Sequence, residues 1–363
     1  MQPIQDQYLD PSQFRDGVQS IVDAVLTHEQ STLMEISPDL DSLMIALTGL
    51  MRGGKRFRPA FCYWGWRAAA QEQDIAALDA QMLRAATSLE FLQACALIHD
   101  DVMDGSDTRR GLPAAHRRFQ AEHEREHRSG SSTMFGIGAA ILLGDLCLAW
   151  ADQLLFESGL PAESILRSKP IFDVMRTELM AGQYLDLLEQ ARAESSLQRA
   201  RTVVRFKSAK YTIERPLHLG AALADASPAI FRSYTDFGLA LGEAFQLRDD
   251  VLGVFGDPAE TGKPAGDDLR EGKRTVMIAL AFERASAQQA GVLQKHLGNA
   301  ELGAEEIDQL RQILVNTGAL DATEALIAAG TNAALESIAH AAISAEGRSA
   351  FLALADAATR RDK

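Results

Sequence analysis

Two acidic segments contain the residues whose types and spacing are best suited to chemistry. The first, LIHDDVMDGSDTRRG (97–111), places Asp100, Asp101 and Asp104 at the end of an apolar run. Residues four apart lie on one face of a helix, so Asp100 and Asp104 can point the same way. Their mutual repulsion and the negative end of the helix dipole both disfavour two anions there. The pattern therefore predicts that a positively charged group offsets them.

The second acidic segment, GEAFQLRDDVLGVFGD (242–257), repeats this arrangement with Asp249 and Asp250. A solvated acidic helix end would explain one such cluster equally well, but the repetition favours a binding site. The carboxylates of both segments are hard oxygen ligands, which suit Mg²⁺, an ion that completes its shell with water and substrate phosphates. We expect Mg²⁺ ions between two facing carboxylate patches that hold a polyphosphate.

Basic residues accompany both acidic segments. A glycine-rich turn, RGGKRFRP (52–59), carries Lys55, Arg56 and Arg58 into a helix, where backbone N–H groups also favour anions, although a surface turn would look the same. Further basic residues follow the acids: Arg109, Arg110, Lys263, Lys273 and Arg274. The combination indicates two anionic groups, one held through metal and the other held directly by Lys and Arg.

The elements that must position these side chains are helices. Apolar residues recur at steps of three and four and no stretch alternates with period two, so the fold is predicted to be all-α. The predicted helices are 17–34, 39–51, 58–71, 75–104, 134–158, 163–190, 199–223, 229–255, 274–298, 304–316, 320–342 and 346–360. The charged segment 120–132, with His123 and His127, is predicted to be a solvated loop. None of the short breaks resembles an interdomain linker, which favours one domain over residues 1–363, with 1–15 as a candidate flexible segment.

Composition excludes several classes of protein. The formal net charge of −14 argues against a nucleic-acid binder, which normally has a basic face. The three cysteines lie in apolar helical patterns without a CxxC pair, so neither a disulfide framework nor a zinc site is expected. The N-terminal residues lack a secretory signal, and the longest apolar run, 134–150, is interrupted by Asp145 and shorter than a membrane span of about 20 residues. A cytoplasmic protein without a membrane span is expected.

The motifs together resemble the trans-isoprenyl diphosphate synthases, or polyprenyl synthetase family, and most of all those members that make geranylgeranyl diphosphate. The matching segments are GGKRFRP, LIHDDVMDGSDTRRGLPAAH, KSAKYT, FQLRDDVLGVFGD and TGKPAGDDLREGKRT, in this order between 53 and 275. The resemblance implies an isoprenoid synthase helical bundle around a central deep cavity, usually as a homodimer. It also implies a Mg²⁺-dependent prenyltransferase that joins isopentenyl diphosphate to an allylic diphosphate.

The resemblance further implies roles for individual residues. Asp100 and Asp104 would bind two Mg²⁺ ions and Asp249 a third, with Asp250 beside it. The residues implied to hold the allylic diphosphate are Arg109, Lys207 and Lys263. Those implied to hold isopentenyl diphosphate are Lys55, Arg58 and Arg110, with Gln93 where many members carry His. Ser208 and Gln246 would line the reacting carbon. Gly253 replaces an Asp that is frequent in the family, so weaker metal binding is expected on that side.

Residues that precede Asp100 on its helix are expected to set the product length. Cys95 and Ala96 are small where farnesyl-producing members carry aromatic residues. Leu92 and Phe91 lie one turn lower, and Ser88 lies about 18 Å below the metal site. A geranylgeranyl (C20) product is therefore favoured, from dimethylallyl, geranyl or farnesyl diphosphate. The opposite wall is expected from 134–150, Phe91 either closes the pocket or faces away, and farnesyl or longer products stay open.

Two other functions compete with this interpretation. A class I terpene cyclase would share the fold and the first acidic motif, but it would not need Lys55 and Arg58. Its second metal motif usually mixes Asn, Ser or Thr with Glu, whereas this chain has Asp249 and Asp250. A non-catalytic regulatory subunit of a heteromeric synthase typically loses an acidic motif or the basic turn, and both are present here.

Overall fold

The structure, a computed structural model, describes residues 10–192, 194–257 and 266–359. The helices of the first half are α1 (Pro11–Ile36), α2 (Asp41–Met51), α3 (Phe57–Ala69), α4 (Glu72–Asp104), α5 (Ala115–Arg125), α6 (Ser132–Phe156) and α7 (Ala162–Gln190). Those of the second half are α8 (Leu197–Val203), α9 (Arg215–Leu223), α10 (Pro228–Phe255), α11 (Asp267–Glu271), α12 (Val276–Arg284), α13 (Ala287–His296), α14 (Ala304–Asn316), α15 (Ala319–Ala339) and α16 (Ala345–Thr359). A 3₁₀ turn (Pro38–Leu40) precedes α2, and a π-helical segment (Val204–Glu214) joins α8 to α9. A two-residue hairpin of β1 (Thr108–Arg109) and β2 (Leu112–Pro113) is the one sheet in the described part of the chain, so the all-α prediction is confirmed.

Helix α5 occupies much of the segment that was predicted to be a solvated loop. His123 is only 4% exposed, and its ring packs against Phe135 with centroids 5.2 Å apart. Its Nε2 lies 3.1 Å from the carbonyl oxygen of Ser129. The loop prediction was wrong for residues 120–125, because charged residues dominate α5 and conceal its narrow buried face, which includes His116, Phe119 and His123. Residues 126–131 do form a loop between α5 and α6.

The N-terminal helix begins earlier than the periodicity predicted. The side chain of Asp10 accepts a hydrogen bond from the backbone N–H of Ser12 at 2.8 Å, which caps the helix. Residues 11–15 are therefore helical rather than a flexible segment, and residues 1–9 lie outside the described part of the chain.

The predicted helix 274–298 is two helices, α12 and α13. Ser286 and Gln289 form a capping box in which each side chain bonds the backbone N–H of the other. This local cap starts a new helix even though the apolar spacing continues across the break.

Helices α4 and α10 end so that their acids face one region. Helix α4 stops at Asp104 because Gly105 adopts a left-handed conformation with φ of 67°, and its N–H bonds the carbonyl oxygen of Asp101. Helix α10 ends at Phe255, followed by Gly256. The acidic residues thus lie in the last two turns of each helix.

Helix α6 is the one described helix that is apolar and long enough, by length and composition, to cross a membrane. It is longer than the run 134–150 because it continues to Phe156. Leu143, Cys147 and Leu154 are buried in the core, where α6 packs along α4. A single apolar helix that packs in a protein core is weak evidence for a membrane span.

Candidate active site

A cavity of about 850 Å³ opens between α4, α7, α10 and the π-helical segment. Its volume is typical of small-molecule sites. The predicted metal and substrate residues that line it are Lys55, Arg58, Gln93, Asp100, Arg109, Lys207, Ser208, Gln246, Asp249 and Asp250. Asp104 and Arg110 lie beside the cavity rather than in its lining, and Lys263 lies outside the described residues.

Asp100 is kept ionised by the basic groups around it. Burial alone would raise the pKa of Asp100, but Lys207, Lys273 and Arg109 together lower it below its ordinary value. Nζ of Lys207 lies 3.2 Å from Oδ1 of Asp100 and 2.6 Å from Oδ2 of Asp186. Lys207 is therefore fixed between two carboxylates at the wall of the cavity.

Asp104 has a buried carboxylate oxygen whose surroundings suit a cation. Burial and the charge of Asp100 raise the pKa of Asp104 to about 6. Its Oδ1 is buried and accepts no hydrogen bond. A buried oxygen of this kind costs free energy unless a positive group reaches it. The pair of Asp100 and Asp104 thus fits a divalent cation that prefers oxygen ligands, such as Mg²⁺.

The carboxylates are arranged for ions that are shared with a ligand. Within residues 10–192, 194–257 and 266–359, no group of three or more His, Cys, Asp or Glu side chains is close enough to hold a metal ion alone. Mg²⁺ commonly binds through one or two protein carboxylates and substrate phosphates. The acids of α4 and α10 therefore suit ions that bind together with a diphosphate.

Asp101, between the two acids of α4, has a different contact. It is 2% exposed and accepts a hydrogen bond from Nε of Arg109 at 2.9 Å, and a second from the Nη2 of the same guanidinium. This charge-assisted pair fixes Arg109 at the cavity wall. Asp101 consequently positions a basic residue rather than pointing toward the metal side.

Asp250 is bonded to Gln246 in the second acidic segment. It accepts a hydrogen bond from Nε2 of Gln246 at 2.7 Å, and burial raises the pKa of Asp250 to about 8. This hydrogen bond orients the amide of Gln246. Because Nε2 is directed to Asp250, Oε1 of Gln246 can serve as an acceptor. Asp249, the preceding residue, lines the same cavity and stays the predicted metal ligand on α10.

The π-helical segment brings several side chains to one wall. Lys207, Ser208, Tyr211 and Thr212 all line the cavity, a set that the wider turn of a π-helix allows. The segment packs closely on α7: a Cβ at Gly182 would lie 2.4 Å from the backbone nitrogen of Lys207. Only glycine permits this approach without a backbone shift.

Arg58 and Gln93 are joined through the π-helical segment. Nη2 of Arg58 donates to Oγ1 of Thr212 at 2.8 Å, and its guanidinium lies 4.3 Å from the ring centroid of Tyr211. The Tyr211 hydroxyl donates to Oε1 of Gln93 at 2.9 Å. Nε of Arg58 is buried and donates no hydrogen bond, which fits an anion that binds beside it.

Two further arginines of the basic regions, Arg56 and Arg110, form contacts within the protein. Arg56 is buried, forms an ion pair with Glu90 and donates to the carbonyl oxygen of Met51 at 2.6 Å. Arg110 donates to the carbonyl oxygen of Leu50 at 2.8 Å and lines a narrow crevice next to the cavity.

The apolar part of the cavity is shorter along α4 than was predicted. Leu92, Cys95 and Ala96 line it, but Phe91 and Ser88 do not. The Phe91 ring packs edge to face against Trp150 of α6 with centroids 6.4 Å apart, and Oγ of Ser88 donates to its own helix at 2.6 Å. Of the two orientations left open for Phe91, the structure shows the one that faces away.

The wall opposite α4 comes from α7, not from the predicted segment 134–150. Leu179, Met180, Gln183 and Tyr184 line the cavity, whereas α6 packs behind α4. The prediction was wrong because α6 and α7 are both apolar enough to pack near α4. Apolar spacing does not show which of these two helices faces the site.

Sequence reasoning missed four residues of the site or left them without a role: Asp186, Tyr211, Thr212 and Lys273. The ammonium group of Lys273 lies 3.1 Å from Asp268 and 2.6 Å from Glu271. The position of Lys273 after the second acidic segment is a sequence signal that could have identified it. A second such signal is Asp186, a carboxylate that interrupts the apolar spacing of α7.

These observations define a class of protein: an all-helical enzyme with a deep cavity. Carboxylates of two helices there fit metal-bound diphosphate, and separate basic residues fit a second anion. An apolar extension continues from this site.

Comparisons with known proteins agree with that class. The Polyprenyl synthetase family model matches residues 41–314. The geranylgeranyl diphosphate synthase of Sulfolobus acidocaldarius is 31% identical over 297 residues, 81% of each chain, and the geranylfarnesyl diphosphate synthase of Aeropyrum pernix is 30% identical over 83% of this chain and 87% of its own. The crystal structure of geranylgeranyl pyrophosphate synthase from Corynebacterium glutamicum, complexed with isoprenyl diphosphate and magnesium, superposes with a TM-score of 0.93 at 41% identity, covering 97% of this chain and 100% of that one. The chain belongs to the polyprenyl synthetase family and is a trans-prenyltransferase, which confirms the resemblance.

Proposed function

We propose that this enzyme condenses isopentenyl diphosphate with dimethylallyl, geranyl and farnesyl diphosphate to give geranylgeranyl diphosphate. The observation that carries the proposal is that a single cavity is lined by the acids Asp100 and Asp249, by the basic residues Lys55 and Arg58, and by apolar residues of α4 and α7. Relatives named for C20 and C25 synthesis support a product of this size. A shorter or longer chain is the second candidate.

The charged residues are suited to breaking the C1–O bond of the allylic substrate. Asp100, Asp104 and Asp249 would hold three Mg²⁺ ions in our proposal. When bound, Mg²⁺ stabilises the negative charge on the departing diphosphate. Lys207, fixed by Asp186, and Arg109, fixed by Asp101, line the same cavity and would hold this diphosphate. Lys263 stays predicted for the allylic diphosphate. Preorganised cations of this kind lower the barrier without reorganisation during the reaction.

The remaining polar groups suit the cationic side of the reaction. Ser208 and Gln246 line the cavity, where Oγ of Ser208 and Oε1 of Gln246 would present oxygen dipoles to the allylic carbon. Lys55, Arg58 and Arg110 would hold isopentenyl diphosphate, with Gln93 hydrogen-bonded beside them. The double bond of isopentenyl diphosphate then attacks C1 of the allylic substrate. The departing diphosphate accepts the proton that the isopentenyl unit loses when the new allylic product forms.

Incubation with Mg²⁺, isopentenyl diphosphate and each allylic primer tests this function. We expect a C20 product from all three primers, identified by chain length after dephosphorylation, and no product when EDTA removes Mg²⁺. A mainly C15 or C25 product would correct the chain length only. The absence of condensation with every primer would overturn the proposal and favour a non-catalytic subunit.

We also propose that the enzyme is a homodimer. Helix α6 presents an apolar stripe, Met134, Phe135, Ile141 and Leu142, to the surface of the chain, and Leu142 is 62% exposed. Contiguous exposed apolar surface commonly marks a protein interface, and a two-fold dimer would bury the same stripe from both copies.

A single domain over residues 1–363 and a cytoplasmic location remain proposals too. The buried cysteines of the described chain form no disulfide, which is compatible with a reducing compartment.

Replacing Leu142 with Asp is expected to shift the protein from dimer to monomer, because a charge would be buried in the interface. Light scattering after size-exclusion chromatography measures the mass directly. Leu352→Asp is the matched control: Leu352 is 45% exposed on α16, away from the stripe, and should leave the dimer intact. A dimeric Leu142→Asp variant, or a monomeric wild type, would contradict the proposed interface.

A further inference from the structure

The carboxylate of Asp268 occupies the space that a side chain at position 253 would need. A Cβ at Gly253 would lie 1.9 Å from Oδ2 and 2.5 Å from Cγ of Asp268. Gly253 follows Asp249 by four residues on α10, so both positions share one face of the helix. Asp268 therefore reaches from α11 to the place where a side chain of α10 would begin.

Asp268 is well placed to face a cation. It is 9% exposed and lines the cavity together with Asp249 and Asp250. Its Oδ1 lies 3.1 Å from Nζ of Lys273, and it is Oδ2 that points toward Gly253. A nearly buried carboxylate beside two other acids is stabilised when positive charge approaches both of its oxygens.

We propose that Asp268 supplies a metal-facing carboxylate on the α10 side of the cavity, in the place of the one that Gly253 lacks. This inference rests on the proposed function, because it concerns the same diphosphate-bound ions. It corrects the expectation that metal binding on this side is weakened by Gly253. It also gives Gly253 a specific role, since the absence of a side chain admits the carboxylate of Asp268.

Two different substitutions remove this carboxylate from its place. Asp268→Asn removes the charge and keeps the shape. Gly253→Ala keeps the charge and displaces the carboxylate; because the atom it meets is the end of a flexible side chain, the helix backbone need not move. Asp267→Asn is the matched control, since Asp267 is adjacent in α11 and does not line the cavity.

The measurement is calorimetric titration of Mg²⁺ into the folded protein with inorganic diphosphate present, corrected by a titration without protein. Asp268→Asn and Gly253→Ala are each expected to weaken Mg²⁺ binding about tenfold, and Asp267→Asn by less than about twofold. The double variant Gly253→Asp with Asp268→Ala, which moves the carboxylate back to α10 and leaves room for it, is expected to bind Mg²⁺ more tightly than Asp268→Ala alone. Melting curves without metal verify that each variant is folded.

Wild-type Mg²⁺ affinity in both single variants would overturn the inference, as would an equal loss in Asp267→Asn. Because the readout is metal binding, it separates this inference from the proposed function. If the wild type makes no prenyl product but the variants lose Mg²⁺ affinity, Asp268 is a metal-binding residue of a protein with another reaction. If the wild type makes product and the variants bind Mg²⁺ normally, only the inference about Asp268 fails.

Discussion

Asp100→Asn is expected to lower kcat for condensation by about 10²–10³-fold at saturating Mg²⁺. Asp100 lines the cavity, is held ionised by Lys207, Lys273 and Arg109, and shares a helix face with Asp104. The neutral amide keeps the shape of the side chain but loses the negative charge that would attract a cation. The fold should persist, because Lys207 keeps its shorter contact with Asp186 at 2.6 Å. Steady-state product formation measures kcat, and a melting curve measures whether the fold persists.

Asp107→Asn is the matched control for Asp100→Asn. Asp107 belongs to the same acidic segment, but its side chain is 80% exposed and pairs with Arg117 at the surface. Exposed ion pairs contribute little to stability or to a distant site, so activity should change by less than about twofold. A variant Asp100→Asn with nearly normal kcat would place the essential metal ligands elsewhere and remove the main support for the catalytic assignment.

The positions of Asp100, Asp104 and Asp249 could be predicted from sequence because their geometry is local. A helix fixes the face on which residues four apart lie, and Gly105 and Gly256 mark where the helices end. The same local logic predicted that basic residues accompany the acids. It succeeded at these two helix ends because the residues concerned lie within about two turns of each other.

Contacts between distant segments could not be predicted in this way. Asp186 and Lys207 meet only because Gly182 allows the π-helical segment to approach α7, and periodicity based on 3.6 residues per turn does not reveal a π-helix. The relation of Asp268 to Gly253 likewise depends on how α11 packs against α10. In each case, the close approach of backbones decides which side chains meet.

Burial explains the errors about the apolar part of the site. Phe91 and Leu92 are neighbours with similar hydrophobicity, yet one packs against Trp150 and the other lines the cavity. Between Met82 and Cys95, helix α4 is buried on almost all sides, so its sequence contains no signal for the face that meets the substrate. Only the positions of α6 and α7 distinguish these faces.

Ala96→Phe is expected to shift the main product from C20 to C15. Ala96 lines the cavity and precedes Asp100 by four residues, so a growing chain attached at the metal site must pass it. A phenyl ring there fills space that the fourth isoprene unit needs, while Asp100 and Lys207 remain in place for the earlier condensations. The distribution of products from dimethylallyl diphosphate, separated by chain length, measures the shift.

Ala80→Phe separates obstruction of the cavity from a general effect of a larger residue on α4. Ala80 lies on the same helix but is exposed and does not line the cavity, so its variant should still make mainly the wild-type product. If Ala96→Phe also kept the wild-type product, the chain would run along α7 past Met180 and Tyr184 rather than along α4. Substitutions on α7 would then be the ones that change product length, because the two helices form the facing walls of a single cavity.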